Sequence, residues 1–157
     1  MNNKQARGKK DKSVLIIVIV ALILVVAATY FIMSPIKYKN DFEDFKADFT
    51  KTVNSAKESG AVLVTQDGKT HKADEYVLSD FYWLLTGAGI GVPTKQVPES
   101  PILIDFPDGA EMTLGEVEVE RGPRKGRMCM YISFKNDKGK VFTYYHDLID
   151  MRAIEGL

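Results

Sequence analysis

Cys129 and His146 are the residues whose types and spacing could do covalent chemistry, because a thiol becomes a nucleophile when a neighbouring imidazole favours the thiolate. With Asn136-Asp137-Lys138-Gly139 as a hairpin turn, Lys135 pairs with Lys140. The ladder behind that turn sets Cys129 opposite His146, Tyr131 opposite Tyr144 and Ser133 opposite Phe142. Directly opposed residues hold their Cβ atoms about 5 Å apart, within reach of a thiol–imidazole contact. No helix N-terminus or orienting carboxylate accompanies the pair in the pattern, and Asp147 points to the other face. Cysteine also serves as a small buried hydrophobe. A Cys-dependent enzyme is therefore the third-ranked reading, and His71, in another hairpin, is expected at the surface.

The same ladder defines a candidate interaction surface. Tyr131, Tyr144, Phe142, His146 and Cys129 share one face of the hairpin, aromatic in body and polar at its tips, a composition suited to ligand contact. Arg124 and Lys125 extend it. They belong with Arg121 and Arg127 to a basic cluster around Gly122-Pro123 that could meet a membrane or an anionic polymer. The opposite face, Met128, Met130, Ile132, Phe134, Val141, Thr143 and Tyr145, is expected to be the core side.

Two other patterns resemble chemical sites and lack the required context. Glu116, Glu118 and Glu120 alternate along a strand, so successive carboxylates stand about 7 Å apart on one face, and no Asp-rich calcium loop accompanies them. They are expected to form a solvated strand face that guards a sheet edge. Gly87-Ala-Gly-Ile-Gly91 has glycines at alternate positions, but phosphate-cradling loops follow a strand and open a helix, whereas this one closes a helix. It is expected to start a long loop, restricted by Pro93, Pro98 and Pro101, that could serve recognition. No metal or cofactor is expected.

The elements that must position these residues follow from periodicity. Tyr38, Phe42, Phe45, Phe49, Val53 and Ala56 recur at three- and four-residue spacing, one stripe of an amphipathic helix that Gly60 ends. Ser34-Pro35 suggests a helix start, with Ser as cap. Residues 61–65 form a strand, Asp67-Gly68 a tight turn, and residues 70–72 the return strand. A second helix begins at Asp74, with Val77, Phe81, Leu84 and Leu85 inward. Tyr76, Tyr82 and Trp83 widen its apolar surface enough to imply burial on two sides. From Ile102 the chain is an antiparallel meander. The bulged turn Phe106-Pro-Asp-Gly109 sets Ile104 opposite Met112 and Ile102 opposite Leu114, and Gly115 marks a bulge or kink.

Location comes from residues 14–33, twenty side chains without charge, Gly or Pro. At about 1.5 Å per residue such a helix covers the roughly 30 Å hydrocarbon core of a bilayer. Lys4, Arg7, Lys9, Lys10 and Lys12 precede it against one acid, Asp11, so the positive-inside bias keeps the N-terminus in the cytoplasm. Val26-Ala27-Ala28 leaves a cleavable signal peptide as the rival, although the apolar run continues beyond it. The remainder is mildly acidic, twenty acids against sixteen bases, which excludes nucleic acid as an expected partner.

The fold expected is α+β. A single transmembrane helix and a membrane-proximal helix precede a β-β-α-β-β-β-β domain with a curved antiparallel sheet and helices on one side. Residues 1–13 form a basic cytoplasmic tail, 14–33 the span, 34–60 the membrane-proximal helix and 61–157 the extracytoplasmic domain, with 34–157 one globular unit. A lone cysteine admits no internal disulfide. The function expected is a membrane-anchored extracytoplasmic binding or interaction protein, an accessory subunit of a bacterial cell-envelope assembly. Its expected partners are the lipid bilayer through residues 14–33, a protein or cell-wall ligand, and a second copy through the membrane-proximal helix. The alternative is an extracytoplasmic ligand sensor or regulator acting through another membrane protein.

Overall fold

The structure is a computed structural model and describes residues 3–87, 89, 91–119, 124–146, 149 and 151–154. By its internal contacts the chain divides into Met1–Tyr38 and Lys39–Leu157. Helix α1 (Asn3–Ser59) carries both the apolar run and the aromatic stripe, and it passes through Pro35. The helix start expected at Ser34 is therefore corrected. Proline's fixed φ is compatible with a helix, so the chain can continue through it, at the cost of one hydrogen bond to the Phe31 carbonyl and of crowding between the ring and that carbonyl.

In the first unit the large apolar side chains from Val14 to Met33 are all exposed, between 48% for Ile19 and 75% for Phe31. Thr29, the one hydroxyl among them besides Tyr30, donates back to the Val25 carbonyl at 2.8 Å. Such a bond satisfies a polar group inside an apolar stretch.

In the second unit, residues 39–59 of α1 and helix α2 (Glu75–Gly87) cover one face of a seven-stranded, wholly antiparallel sheet. The strands are β1 (Leu63–Gln66), β2 (Lys69–Lys72), β3 (Val92–Pro93), β4 (Ile102–Asp105), β5 (Glu111–Glu118), β6 (Met128–Lys135) and β7 (Val141–His146), in the spatial order β2-β1-β4-β5-β6-β7-β3. A 3-10 helix, Met151–Ile154, follows β7. Strand β3 lies within the stretch expected to be loop; it pairs with β7 and forms an edge of the sheet. Two residues, one of them proline, carry no alternation that sequence could reveal.

The stripe on α1 is core. Phe42, Phe45, Phe49, Val53 and Ala56 are all buried, while Tyr38 is 39% exposed. Phe45 and Phe49 stack on each other and meet Phe134 edge-on at 5.7 and 5.6 Å between ring centroids. This seating places the aromatic stripe inside the chain's own core. Asp74 caps α2, accepting from the Tyr76 and Val77 backbone N–H groups. Its buried face is Leu78, Phe81 and Leu85, whereas Tyr76 and Trp83 are 84% and 67% exposed. Phe81 and Tyr82 also meet Phe49 of α1, so α2 contacts the first helix as well as the core, as expected, while the apolar surface of Tyr76 and Trp83 stays outside that burial.

Turn geometry sets the register. In Phe106-Pro-Asp-Gly109 the Gly109 N–H donates to the Phe106 carbonyl, Phe106 N–H donates to Ala110, and Gly109 adopts φ +85°. Ile104 then faces Met112 and Ile102 faces Leu114, as expected. Asn136-Asp-Lys-Gly139 repeats the same geometry, with Gly139 at φ +81° and Asn136 N–H donating to Lys140. The bulge uses one more residue than the expected register allowed, so Lys135 faces Val141, Phe134 faces Phe142 and Met130 faces His146. A one-residue slip exchanges every side chain of a strand between faces. Phe142, Tyr144 and His146 therefore lie on the helical side, and Val141, Thr143 and Tyr145 on the other.

Two buried polar groups tie α1 to the two turns. The Asn136 amide donates to Asp48 at 2.8 Å while its oxygen accepts from the Lys138 and Lys140 backbone N–H groups. Thr52 donates to Asp108 at 2.8 Å. Phe45→Ala should lower stability by about 3–5 kcal/mol, as large-to-small changes in a packed core do. Tyr76→Ala should change it by less than about 0.5 kcal/mol. Thermal melts of the full chain in detergent micelles check both; equal effects would contradict the placement of α2.

Candidate functional site

The sheet is longer than its helical cover, and that mismatch makes a cleft. On the helical face of β5, Met112 and Leu114 are buried, but the next residues on that face, Glu116 and Glu118, are exposed. Their cross-strand partners are Met130, fully buried, and Met128, 51% exposed. The register through Gly115 is continuous, so the expected bulge is absent. The apolar positions change face instead, and Val117 and Val119 belong to a second small cluster with Cys129, Tyr131 and Tyr145 on the opposite side.

Residues 94–101, joining β3 at one edge to β4, cross that opposite side. A Cβ added to Gly115 would lie 2.3 Å from Pro98 Cβ, so only glycine admits the crossing chain there. The Gln96 amide donates to the Glu118 carbonyl at 2.9 Å and fixes the strap to the end of β5. β4 pairs with β5 only as far as Leu114, so Glu116 and Glu118 lie on a stretch of β5 that is laddered to β6 alone and forms a local edge of the sheet, as expected.

The cleft has a volume of about 1270 Å3 and opens at the ends of β1, β4, β5 and β6. Its floor is apolar: Val64 and Ile102 from the sheet, Met128, and Met151 and Ile154 from the 3-10 helix. Its polar lining is the amides of Gln66 and Gln96, the carboxylates of Glu99, Glu116 and Glu118, and the guanidinium of Arg152. Among the described residues, three carboxylates against one guanidinium make the lining anionic. Beside it lies the turn carrying Arg124, half-buried, and Lys125 and Arg127, both exposed. A Cβ on Gly126 would stand 3.9 Å from Glu118 Oε1, which places this basic turn directly against the acidic end of β5.

The residues of the expected interaction surface are divided among three places. Phe142, Tyr144 and His146 are buried on the helical face, where Phe45 meets the Phe142 and Tyr144 rings. Cys129 and Tyr131 are buried on the opposite face beneath the strap. Arg124 and Lys125 sit in the turn beside the cleft. Cys129 faces Val117 and its thiol donates to the Val117 carbonyl at 3.5 Å, while His146 Nε2 lies 2.9 Å from the Gly89 carbonyl. The thiol and the imidazole are thus on different faces, which corrects the expected pairing and removes its chemistry. His71 is exposed, as expected. Glu120 and Arg121 lie outside the described residues.

The cleft was detectable as the parity switch of Met112 and Leu114 to Val117 and Val119. A continuous strand whose apolar residues change face must leave polar residues facing the former core side. No protein-family model, no curated protein and no solved structure matches the chain.

Tyr144 carries the sharpest energetic signature near these residues. Its hydroxyl is buried and has no hydrogen-bond partner among the described residues. Burial pushes its ionisation well above the usual value near 10. Tyr144→Phe should therefore stabilise the protein by about 1 kcal/mol, since an unsatisfied buried hydroxyl is removed with the ring kept. The folded state retains the phenol proton where the unfolded chain has lost it, so the wild type should lose stability as pH rises above about 10 and the variant should lose less. Denaturant midpoints at pH 8 and pH 10.5 measure both effects; a destabilised variant would mean that the hydroxyl has a partner.

Proposed function

We propose that the protein is a single-pass membrane-anchored binding protein, with residues 1–13 in the cytoplasm and the α+β unit outside, acting as an accessory subunit of a bacterial cell-envelope assembly. One long apolar N-terminal helix able to anchor in a membrane is what the structure contains. The observation that carries the proposal is the exposure of that run, whose large side chains from Val14 to Met33 are 48–75% exposed. Apolar surface of that extent needs an apolar environment. The five basic residues before it favour the orientation.

A binding role is supported by the cleft, which combines an apolar floor with convergent polar groups on the unit that bears no span. The sensor reading uses the same cleft and transmits ligand binding through another membrane protein. Cross-linking in native membranes separates the two: a reproducible protein partner supports the subunit, and a retained small molecule without a partner supports the sensor.

Topology is tested with single cysteines, since the native Cys129 is buried. In spheroplasts, a membrane-impermeant maleimide should label Lys95→Cys and leave Lys9→Cys unlabelled until the membrane is opened. The reverse pattern overturns the orientation. Release of the protein into the soluble fraction with Thr29 as its first residue identifies a cleaved signal peptide and overturns the anchor.

A further inference from the structure

The open end of β5 presents its edge, and not only its faces, to the cleft. Glu116, Val117 and Glu118 are consecutive, so their side chains alternate between the two sides of the sheet, yet all three line the same cavity. An unpaired strand edge is what meets one space from both sides. The hydrogen-bond phase of the ladders agrees. Val119 N–H donates to the Arg127 carbonyl, so odd-numbered positions along this strand bond toward β6, and Phe106 N–H donates to the Ala110 carbonyl, so even-numbered ones bond toward β4. Strand β4 ends with Ile102 opposite Leu114, and the backbone groups of Glu116 and Glu118 continue past it into the cleft.

The strap does not replace the missing strand. Pro98, seated on Gly115, carries it across the face opposite the helices. A side chain supplies its bond to the open edge, from the Gln96 amide to the Glu118 carbonyl. That bond shows an acceptor of β5 aimed out of the ladder, where the main chain of a neighbouring strand would otherwise donate.

We infer that the cleft receives an extended, basic segment of a partner protein, added to β5 as an antiparallel strand. The inference rests on the cleft being a binding site and names the class of its occupant. Strand addition gives affinity through main-chain hydrogen bonds and specificity through alternate side chains. Both ladders of β5 are antiparallel, and a strand added in the same sense places its own N–H and C=O groups on Glu116 and Glu118. The residues that make those bonds point their side chains to the helical face, beside the two carboxylates. Glu118 already has the basic turn against it, whereas Glu99 and Glu116 make no ion pair among the described residues, so these two attract the cation. The intervening residues of the segment face the strap, where Val97 is 77% exposed, and suit apolar side chains.

End-blocked, fluorophore-labelled pentapeptides are the probe, read by anisotropy against the full chain in neutral detergent micelles, with protein-free micelles as baseline. A peptide alternating lysine and valine should bind, and its glutamate–valine counterpart should bind at least about tenfold more weakly. Methylating the backbone nitrogens of the lysines should cost at least about tenfold, because those N–H groups face β5, while methylating those of the valines, which face away, should leave affinity within about twofold. Glu116→Lys, at an exposed position, should weaken binding of the unmethylated peptide by about tenfold, since attraction across the pair becomes repulsion. Binding that ignores peptide charge, survives methylation of the lysines or is lost equally in both methylated forms overturns strand addition, as does a lysine–valine peptide that fails to bind. Failure of the peptide with a small molecule still retained after cross-linking in native membranes overturns this inference alone; failure of both overturns the binding role of the cleft as well.

Discussion

The stacking of Phe45 on Phe49, seated against Phe134, is the contact on which the rest of the second unit depends. The two rings lie 5.6 Å apart at 10° and between them touch rings from β6, β7, α2 and the β4–β5 turn. Aromatic pairs of this kind contribute about 0.5–1.5 kcal/mol each beyond their area, so a cluster of them fixes the helix both in position and in rotation. Rotation matters most. With the phenylalanines inward, Asp48 and Thr52 are turned toward Asn136 and Asp108, and the two hairpin turns are anchored to the same helix. The surface pairs Lys51–Asp137 and Lys140–Asp44 follow the same geometry but are exposed and add little.

That seating places α1 over the end of the sheet where β4 turns into β5 and β6 into β7. The strands continue in the other direction beyond what the two helices cover. Burial therefore changes along β5: Met112 and Leu114 are sealed, Glu116 and Glu118 are open, and the residues between them take over a different core. Gly115 stands at the change because the strap needs close access to the backbone there. A single strand thus serves two hydrophobic clusters on opposite faces, and the cleft opens at its end, lined by Glu116 and Glu118 from one side and by Val117 and the strap from the other.

Residue patterns carried the elements well and the register unevenly, for a reason visible in β7. Val141, Phe142, Thr143, Tyr144, Tyr145 and His146 place apolar bodies at both parities, so alternation cannot decide which face is buried. The turn decides it, through Gly139 in the left-handed region. The same reasoning applied to Gly109 yields the right pairing, because Ile104 and Met112 confirm it independently. Cys129 and His146 looked coupled only under the slipped register. In α2, the width of the apolar surface concealed which side was inner, since Trp83 and Tyr76 are as apolar as Leu78 and yet face out. Strand β3 depended on tertiary pairing alone, with its register supplied by Tyr144 and Tyr145.

The two walls of the cleft differ in how firmly they are held. The sheet wall is part of a hydrogen-bonded ladder continuous from Glu111 to Glu118, and it rests on Met130 and Ile132 in the main core. The strap depends on isolated contacts, one hydrogen bond from the Gln96 amide to the Glu118 carbonyl and the seat of Pro98 on Gly115, whereas the 3-10 helix is held by Ile149 and Ile154 in the main core. Segments with few buried contacts open at lower free energy than the ladders beside them. Adaptation to an occupant therefore falls to the strap, while Glu116, Glu118 and Met128 keep their spacing. Charge at fixed positions on a rigid strand, bordered by apolar residues that can move, lets electrostatics set the register of a contact and packing complete it afterwards.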